Sequence, residues 1–265
     1  MGKVIVVTSG KGGVGKTTTT ANLAVALAKR GRRVVAIDAD IGLRNLDLVM
    51  GLENRIVYTL VDVVEGTCRL NQAMVRDKRV ENLYMIPAAQ TRTKDAVTAE
   101  QMEALCGELR EAFDYVLVDS PAGIEAGFRN AAQGADEALV VTTPEVSAVR
   151  DADRIIGLLE SMGKSPLRLV VNRIRTEMVK RRDMMSVDDV LEILAIDLIG
   201  VVPDDDSVVT SSNRGEPLTL GERSPAAQAF RDIALRLEGE EVPFAPLDDG
   251  EGKGILAKMK KIFLG

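Results

Sequence analysis

The chain has 265 residues, 46% of them hydrophobic, with 34 basic against 40 acidic side chains and a formal charge of −6. That length suits one large α/β domain with a deep core, and the acidic balance argues against a nucleic-acid surface. There is no histidine, and the two cysteines, Cys68 and Cys106, form no C-x-x-C pair, which argues against a zinc site or a disulfide scaffold and points to a reducing, cytoplasmic setting.

The first predicted strand, Val4–Thr8, runs into Gly10-Lys11-Gly12-Gly13-Val14-Gly15-Lys16-Thr17, and a helix is predicted over Thr17–Lys29. A G-x-x-x-x-G-K-[ST] pattern at a strand-to-helix junction is a phosphate-binding loop. Its glycines let backbone N–H groups turn toward a polyphosphate without Cβ clashes. Lys16 can reach the β/γ-phosphates, the Thr17 hydroxyl can ligand Mg²⁺, and Thr18 completes the candidate nucleotide contacts. Lys11 springs from the loop's start, too far round to duplicate Lys16. It is either a solvated lysine or one that points out of the site toward a second molecule.

The second predicted strand, Val34–Asp38, ends Asp38-Ala39-Asp40 and opens a loop reading IGLRNLDL. Asp38 is the natural water-mediated partner of Mg²⁺. In a chain without histidine, and with no glutamine in that loop, Asp40 is the best candidate to align water for in-line attack. The competing reading is that both aspartates cap the next turn. A strand at Leu83–Pro87 and a helix at Ala99–Phe113 follow, then the strand Tyr115–Asp119. An apolar strand ending in aspartate is the Walker B arrangement, with Asp119 holding Mg²⁺. In the Ser120-Pro121-Ala122-Gly123 turn beyond it, Gly123 can offer its N–H to the γ-phosphate.

Further on, helices are predicted over Ile124–Ala132, Ser147–Ser161, Val187–Leu194 and Pro225–Leu237, and strands over Ala138–Thr142, Leu167–Asn172 and Leu198–Val202. Nearly continuous β-branched strands alternating with helices define a doubly wound, mostly parallel α/β sheet covered on both faces. Ligand chemistry in such a fold lies beyond the carboxyl ends of the strands, where these motifs cluster. At one of those ends the Asn172 amide can pair with adenine N6 and N7. The run Asn172-Arg173-Ile174-Arg175 lacks the aspartate of the guanine-reading N-K-x-D sequence, so ATP is expected over GTP.

The domain is expected to span 1–238, followed by a Gly/Pro/acid-rich linker at 239–254 and an amphipathic helix at 255–265. Ile255, Leu256, Met259, Ile262 and Phe263 share one face, flanked by Lys258, Lys260 and Lys261, with Leu264 beside them. Such a helix is roughly 15 Å long, half a bilayer core, so it can lie in an anionic membrane interface but cannot cross it. The alternative is a helix docked on the protein's own surface. No cleavable signal is expected, and the myristoylation pattern fails at Val6.

The stretch Lys11–Asn22 resembles the deviant Walker A ATPases, a family that includes partitioning ATPases, the nitrogenase iron protein and the septum-site MinD proteins. DADIGLRNLDL, VDSPAGIEAG, TTPEVSAVRDADR, VVNR and the lysine-rich tail extend the resemblance over essentially the whole chain, toward the MinD branch. The resemblance implies an ATP-sandwich homodimer in which each Lys11 touches the nucleotide held by the other subunit. It implies that Asp40 orients the attacking water and that Pro203-Asp204 closes over the base. It further implies ATP-dependent recruitment of a MinC-like division inhibitor to the membrane and a MinE-like activator of hydrolysis. The protein would then be cytoplasmic and reversibly peripheral on the inner membrane face. Asn45, Asp151 and Asp153, the last two on the helix beginning near Val146, are the candidate partner contacts. The rival readings are a flagellar-placement or DNA-partitioning relative, and a nucleotide-gated scaffold with little turnover.

Overall fold

The computed structural model describes residues 1–221 and 223–245, with Lys94 described by its backbone alone. The predicted amphipathic segment 255–265 therefore lies outside the described residues. The strands are β1 Lys3–Thr8, β2 Val34–Asp38, β3 Val75–Arg76, β4 Leu83–Ile86, β5 Tyr115–Asp119, β6 Glu137–Thr142, β7 Leu167–Ile174 and β8 Asp197–Pro203. They form one sheet in the order β3-β4-β2-β5-β1-β6-β7-β8. Every pairing is parallel except β3 with β4.

The helices are α1 Lys16–Lys29, α2 Leu46–Met50, α3 Leu60–Val64, α4 Leu70–Ala73, α5 Ala99–Ala112 and α6 Ala126–Gln133. They continue with α7 Val146–Ser161, α8 Thr176–Lys180, α9 Val187–Leu194, α10 Asp206–Asn213 and α11 Pro225–Leu237. Alternation along β1 shows how the layers divide. Val4 and Val6 pack with Met102 and Leu105 of α5, Phe128 of α6 and Ile155 of α7. Ile5 and Val7 pack with Leu23 and Leu27 of α1 and Phe230 and Ile233 of α11. Apolar side chains on both faces of a strand require helices on both faces of the sheet, as a parallel sheet demands. Among the described residues no helix is long and apolar enough to cross a membrane.

Most predicted elements stand within two residues of their expected ends. The predicted helix at Ile124 begins instead at Ala126, because Gly123 takes φ 91° and Glu125 is extended. β7 runs past Asn172 to Ile174, with its register against β8 shifted between Val171 and Ile174. The predicted elements omit the two-residue antiparallel strand β3 and the short helices α2, α3, α4, α8 and α10. Segments that short show too little periodicity to stand out.

The stretch expected to begin the linker lies along the body as far as it is described. Arg236 donates through Nε to the Val242 carbonyl and through Nη2 to that of Pro243, each at 3.0 Å, and stacks on the Phe244 ring at 4.0 Å. Its Nη1 also donates to the Ile199 carbonyl of β8 at 2.9 Å.

Candidate nucleotide site

β1 is flanked by β5 on one side and β6 on the other, and the loop leaving it opens into the crevice between diverging connections, where ligands of such sheets bind. Two of the loop's glycines are required by packing. A Cβ on Gly10 would lie 2.2 Å from the Asp151 carbonyl of α7, and one on Gly15, which takes φ 102°, would lie 2.2 Å from Asn172 Nδ2. At Gly12 or Gly13 an added Cβ would meet no protein atom within 4 Å, and these are the glycines on the open side of the loop. α1 starts at Lys16 with no side-chain cap, so its first N–H groups and the positive end of its dipole face the loop.

Lys16 is 8% exposed, and its ammonium donates to Ser9 Oγ at 3.0 Å. Ser9 in turn donates to the Lys11 carbonyl at 2.7 Å. Opposite stand Asp38 and Asp119, register partners at the ends of β2 and β5 and both buried. Thr20 donates to Asp119 Oδ1 at 3.4 Å, and Thr17 hydrogen-bonds the same carboxylate. Burial raises both carboxyls above the usual range; for Asp38 the charge of Asp119 adds to this, while Thr17 and Lys16 oppose it at Asp119.

This donor set fits Mg²⁺. Two buried carboxylates beside a helix-start threonine carry too little countercharge of their own, and a divalent cation relieves that strain. Thr17, Asp119 and Asp38 would hold the ion, the carboxylates directly or through water. Asp38 also does what the turn-capping alternative foresaw. Its Oδ1 accepts the Asp40 N–H, and its Oδ2 accepts the Asn45 and Leu46 N–H groups, each at 3.1 Å.

Asp40 is half-buried at the start of that loop, and its charge is felt by both Asp38 and Asp119. The Gly123 N–H donates to the Ser9 carbonyl at 3.2 Å. Lys11, its side chain 44% exposed, reaches Glu145 at 3.4 Å and Ser147 at 3.2 Å within its own subunit. Val14 is buried, and its carbonyl accepts from Asn172 Nδ2 at 2.8 Å, while Asn172 Oδ1 accepts the Arg173 N–H at 2.9 Å. The asparagine amide thus ties the end of β7 to the phosphate loop. Arg173 is exposed with φ 57°, and Asp204, after Pro203, donates its N–H to the Ile174 carbonyl at 3.0 Å.

Arg173, Arg175 and Asp204 line an open cleft of about 1070 Å³ together with Thr143 and Glu145. Of the candidate partner contacts, Asn45 and Asp153 are exposed, while Asp151 is half-buried and pairs with Arg154 at 3.7 Å. Ser9, and the contacts of Thr20 with Asp119, of Glu145 with Lys11 and of Arg175 with Asp204, are site features that the sequence motifs do not assign. Ser9 alone has a sequence cue, its place just before the loop's first glycine.

Fold and site together define a P-loop nucleotide-binding protein. The family profile described as the CobQ/CobB/MinD/ParA nucleotide binding domain matches residues 5–218, and the chain belongs to this family, in its septum-site-determining MinD branch. Septum site-determining protein MinD of Bacillus subtilis is 58% identical over 265 residues, covering 99% of this chain and 98% of that protein. The MinC:MinD cell division complex of Aquifex aeolicus contains a chain 52% identical with a TM-score of 0.86, covering 92% of this chain and 99% of that one. MinD of Pyrococcus horikoshii, solved with Mg-ADP, is 31% identical with a TM-score of 0.82, covering 90% and 96%.

Proposed function

We propose that the chain is an Mg²⁺-dependent ATPase whose ATP-bound form is a homodimer held on the anionic inner face of the cell membrane, where it recruits a division inhibitor of the MinC kind. The observation that carries the ATPase reading is the buried Asp38–Asp119 pair facing Lys16 and Thr17 at the mouth of the phosphate loop. Lys16 and the first turn of α1 neutralise the phosphates, and Asp40 aligns water for in-line attack. Bound Mg²⁺ supplies charge neutralisation at the phosphate oxygens. Lys11 exchanges its contacts with Glu145 and Ser147 for the nucleotide of the second subunit.

The 255–265 segment supplies the membrane contact. Each lysine near an anionic leaflet contributes about 1 kcal/mol, and two tails on one dimer gain avidity on the order of 10². An activator of the MinE kind speeds hydrolysis, and the separated subunits leave the membrane. The relative solved with MinC supports a partner of that kind, and α7 with its exposed Asp153 is the face this reading assigns to the contact.

Light scattering with Mg-ATP and Mg-ADP, in parallel with phosphate release, tests the hydrolytic core. Asp40→Ala is expected to accumulate ATP-bound dimers while turnover falls on the order of 10²-fold or more. Normal turnover in that variant would remove Asp40 from the chemistry.

A further inference from the structure

We propose that Arg79 is a positioning residue for hydrolysis: acting through α2, it holds the loop that carries Asp40. This rests on the ATPase reading above and adds what keeps Asp40 in place. Arg79 lies in the connection between β3 and β4, and its guanidinium joins three segments of the chain. Nε and Nη2 donate to the Asp77 carboxylate at 3.1 and 2.7 Å, and Nη1 donates to the Gly215 carbonyl at 2.8 Å. Nη2 also donates to the carbonyl of Met50, the last residue of α2. Asp77 is 1% exposed and accepts the Arg79 N–H at 2.7 Å as well. A buried carboxylate thus sets the guanidinium fork before it meets either carbonyl, a geometry that a lysine does not reproduce.

α2 gives this contact its meaning. Five residues make a helix of roughly 7.5 Å, too short to persist without support. Charged side chains hold it at both ends. At its start Asp38 Oδ2 accepts the Asn45 and Leu46 N–H groups, and at its end Arg79 donates to the Met50 carbonyl. A carboxylate at the positive end and a guanidinium at the negative end both suit the helix dipole. Directly behind the helix, two glycine backbones touch. A Cβ on Gly51 would lie 2.4 Å from the Gly215 carbonyl oxygen, and one on Gly215 would lie 2.5 Å from the Gly51 Cα.

There is little slack ahead of the helix either. The Asp40 carbonyl accepts the Leu43 and Arg44 N–H groups, each at 3.2 Å, and Arg44 Nε donates to the buried Asp47 at 2.8 Å. A shift of α2 is therefore passed to residue 40 through hydrogen bonds already made. Lys16, the phosphate loop and Asp119 stand outside this line, so loss of the Arg79 contacts reaches turnover before it reaches nucleotide affinity.

Arg79→Lys keeps a positive charge beside Asp77 but gives up the fork that spans Met50 and Gly215. Phosphate release at saturating Mg-ATP is expected to fall about tenfold, while affinity for a fluorescent ATP analogue stays within about twofold. In an Asp40→Ala background, followed in single turnover, Arg79→Lys should cause no further loss. The chain has no tryptophan, so Leu43→Trp, at a side chain 59% exposed, places a reporter in the loop. Its fluorescence anisotropy should drop when Arg79→Lys is added. Arg79→Met/Asp77→Asn, which removes the buried charge together with its partner, should show the same loss of turnover if the lysine variant does not fold. Unchanged turnover or anisotropy in a folded variant, affinity that falls in step with turnover, or a further loss in the Asp40→Ala background overturns the positioning role alone. An unaltered chain that does not hydrolyse ATP, or normal turnover in Asp40→Ala, overturns it together with the reading beneath it.

Discussion

Asp38 joins two tasks in one carboxylate. It stands beside Asp119 where a divalent cation is needed, and it holds three N–H groups of the loop that carries Asp40. A change of charge at this position therefore reaches the loop through hydrogen bonds already made. Without metal the pair has raised pKa values, chiefly from burial, so between the ordinary carboxylate value and the raised one the folded chain binds more protons than the unfolded chain. The pair's contribution to stability is then greatest below that window and declines as pH rises through it. In chelator and without nucleotide, the urea midpoint is expected to fall from about pH 5 to about pH 8, reflecting an unfolding free energy that drops by at most about 1.4 kcal/mol per pH unit for each proton involved. Saturating Mg-ADP should flatten the slope. A midpoint that rises over the same range in chelator would contradict the placement of this pair.

At the scale of elements, the phosphate loop is wedged between α7 and the end of β7, with Gly10 against Asp151 and Gly15 against Asn172. Gly10→Ala drives a methyl group into the α7 backbone, which cannot yield as a flexible side chain would. The expected loss is about 1–3 kcal/mol in denaturant unfolding, with weakened nucleotide binding in titration; near-normal values for both would mean that α7 moves freely.

The same wedge shows what the sequence could and could not disclose. The loop, Asp38, Asp40 and Asp119 were legible because their chemistry is written in local spacing at strand ends, and the long buried strands and amphipathic helices were legible from their periodicity. Glu145 meeting Lys11, Asn172 meeting Val14 and Asp204 meeting Arg175 join segments far apart in the chain, and no local pattern encodes them. The short helices α2, α8 and α10 were hidden for a related reason. Each is only five to eight residues long; α8 and α10 bury no residue, and α2 spans too few turns to set a period.

For the whole molecule, the proposed cycle joins a weak membrane contact to nucleotide state. The chain carries a net charge of −6, so an anionic surface repels the molecule on balance, and the proposed cycle assigns the attraction to the lysines and apolar side chains of 255–265. One short segment of this kind binds weakly, whereas two segments on one dimer bind through avidity. In the proposed cycle the dimer is the step at which ATP is converted into location. Arg236 and Phe244 hold the chain against the body as far as residue 244, which sets the point from which any tether to that segment must reach.

The most direct measurement is co-sedimentation with anionic vesicles in Mg-ATP and in Mg-ADP, using the full chain and a chain ending at residue 254, with DNA binding measured alongside. The full chain is expected to pellet in ATP and stay in solution in ADP, the shortened chain to bind ATP without pelleting, and neither to bind DNA. Pelleting that ignores the nucleotide or survives the truncation, or ATP-dependent binding to DNA without binding to vesicles, would contradict the proposed cycle.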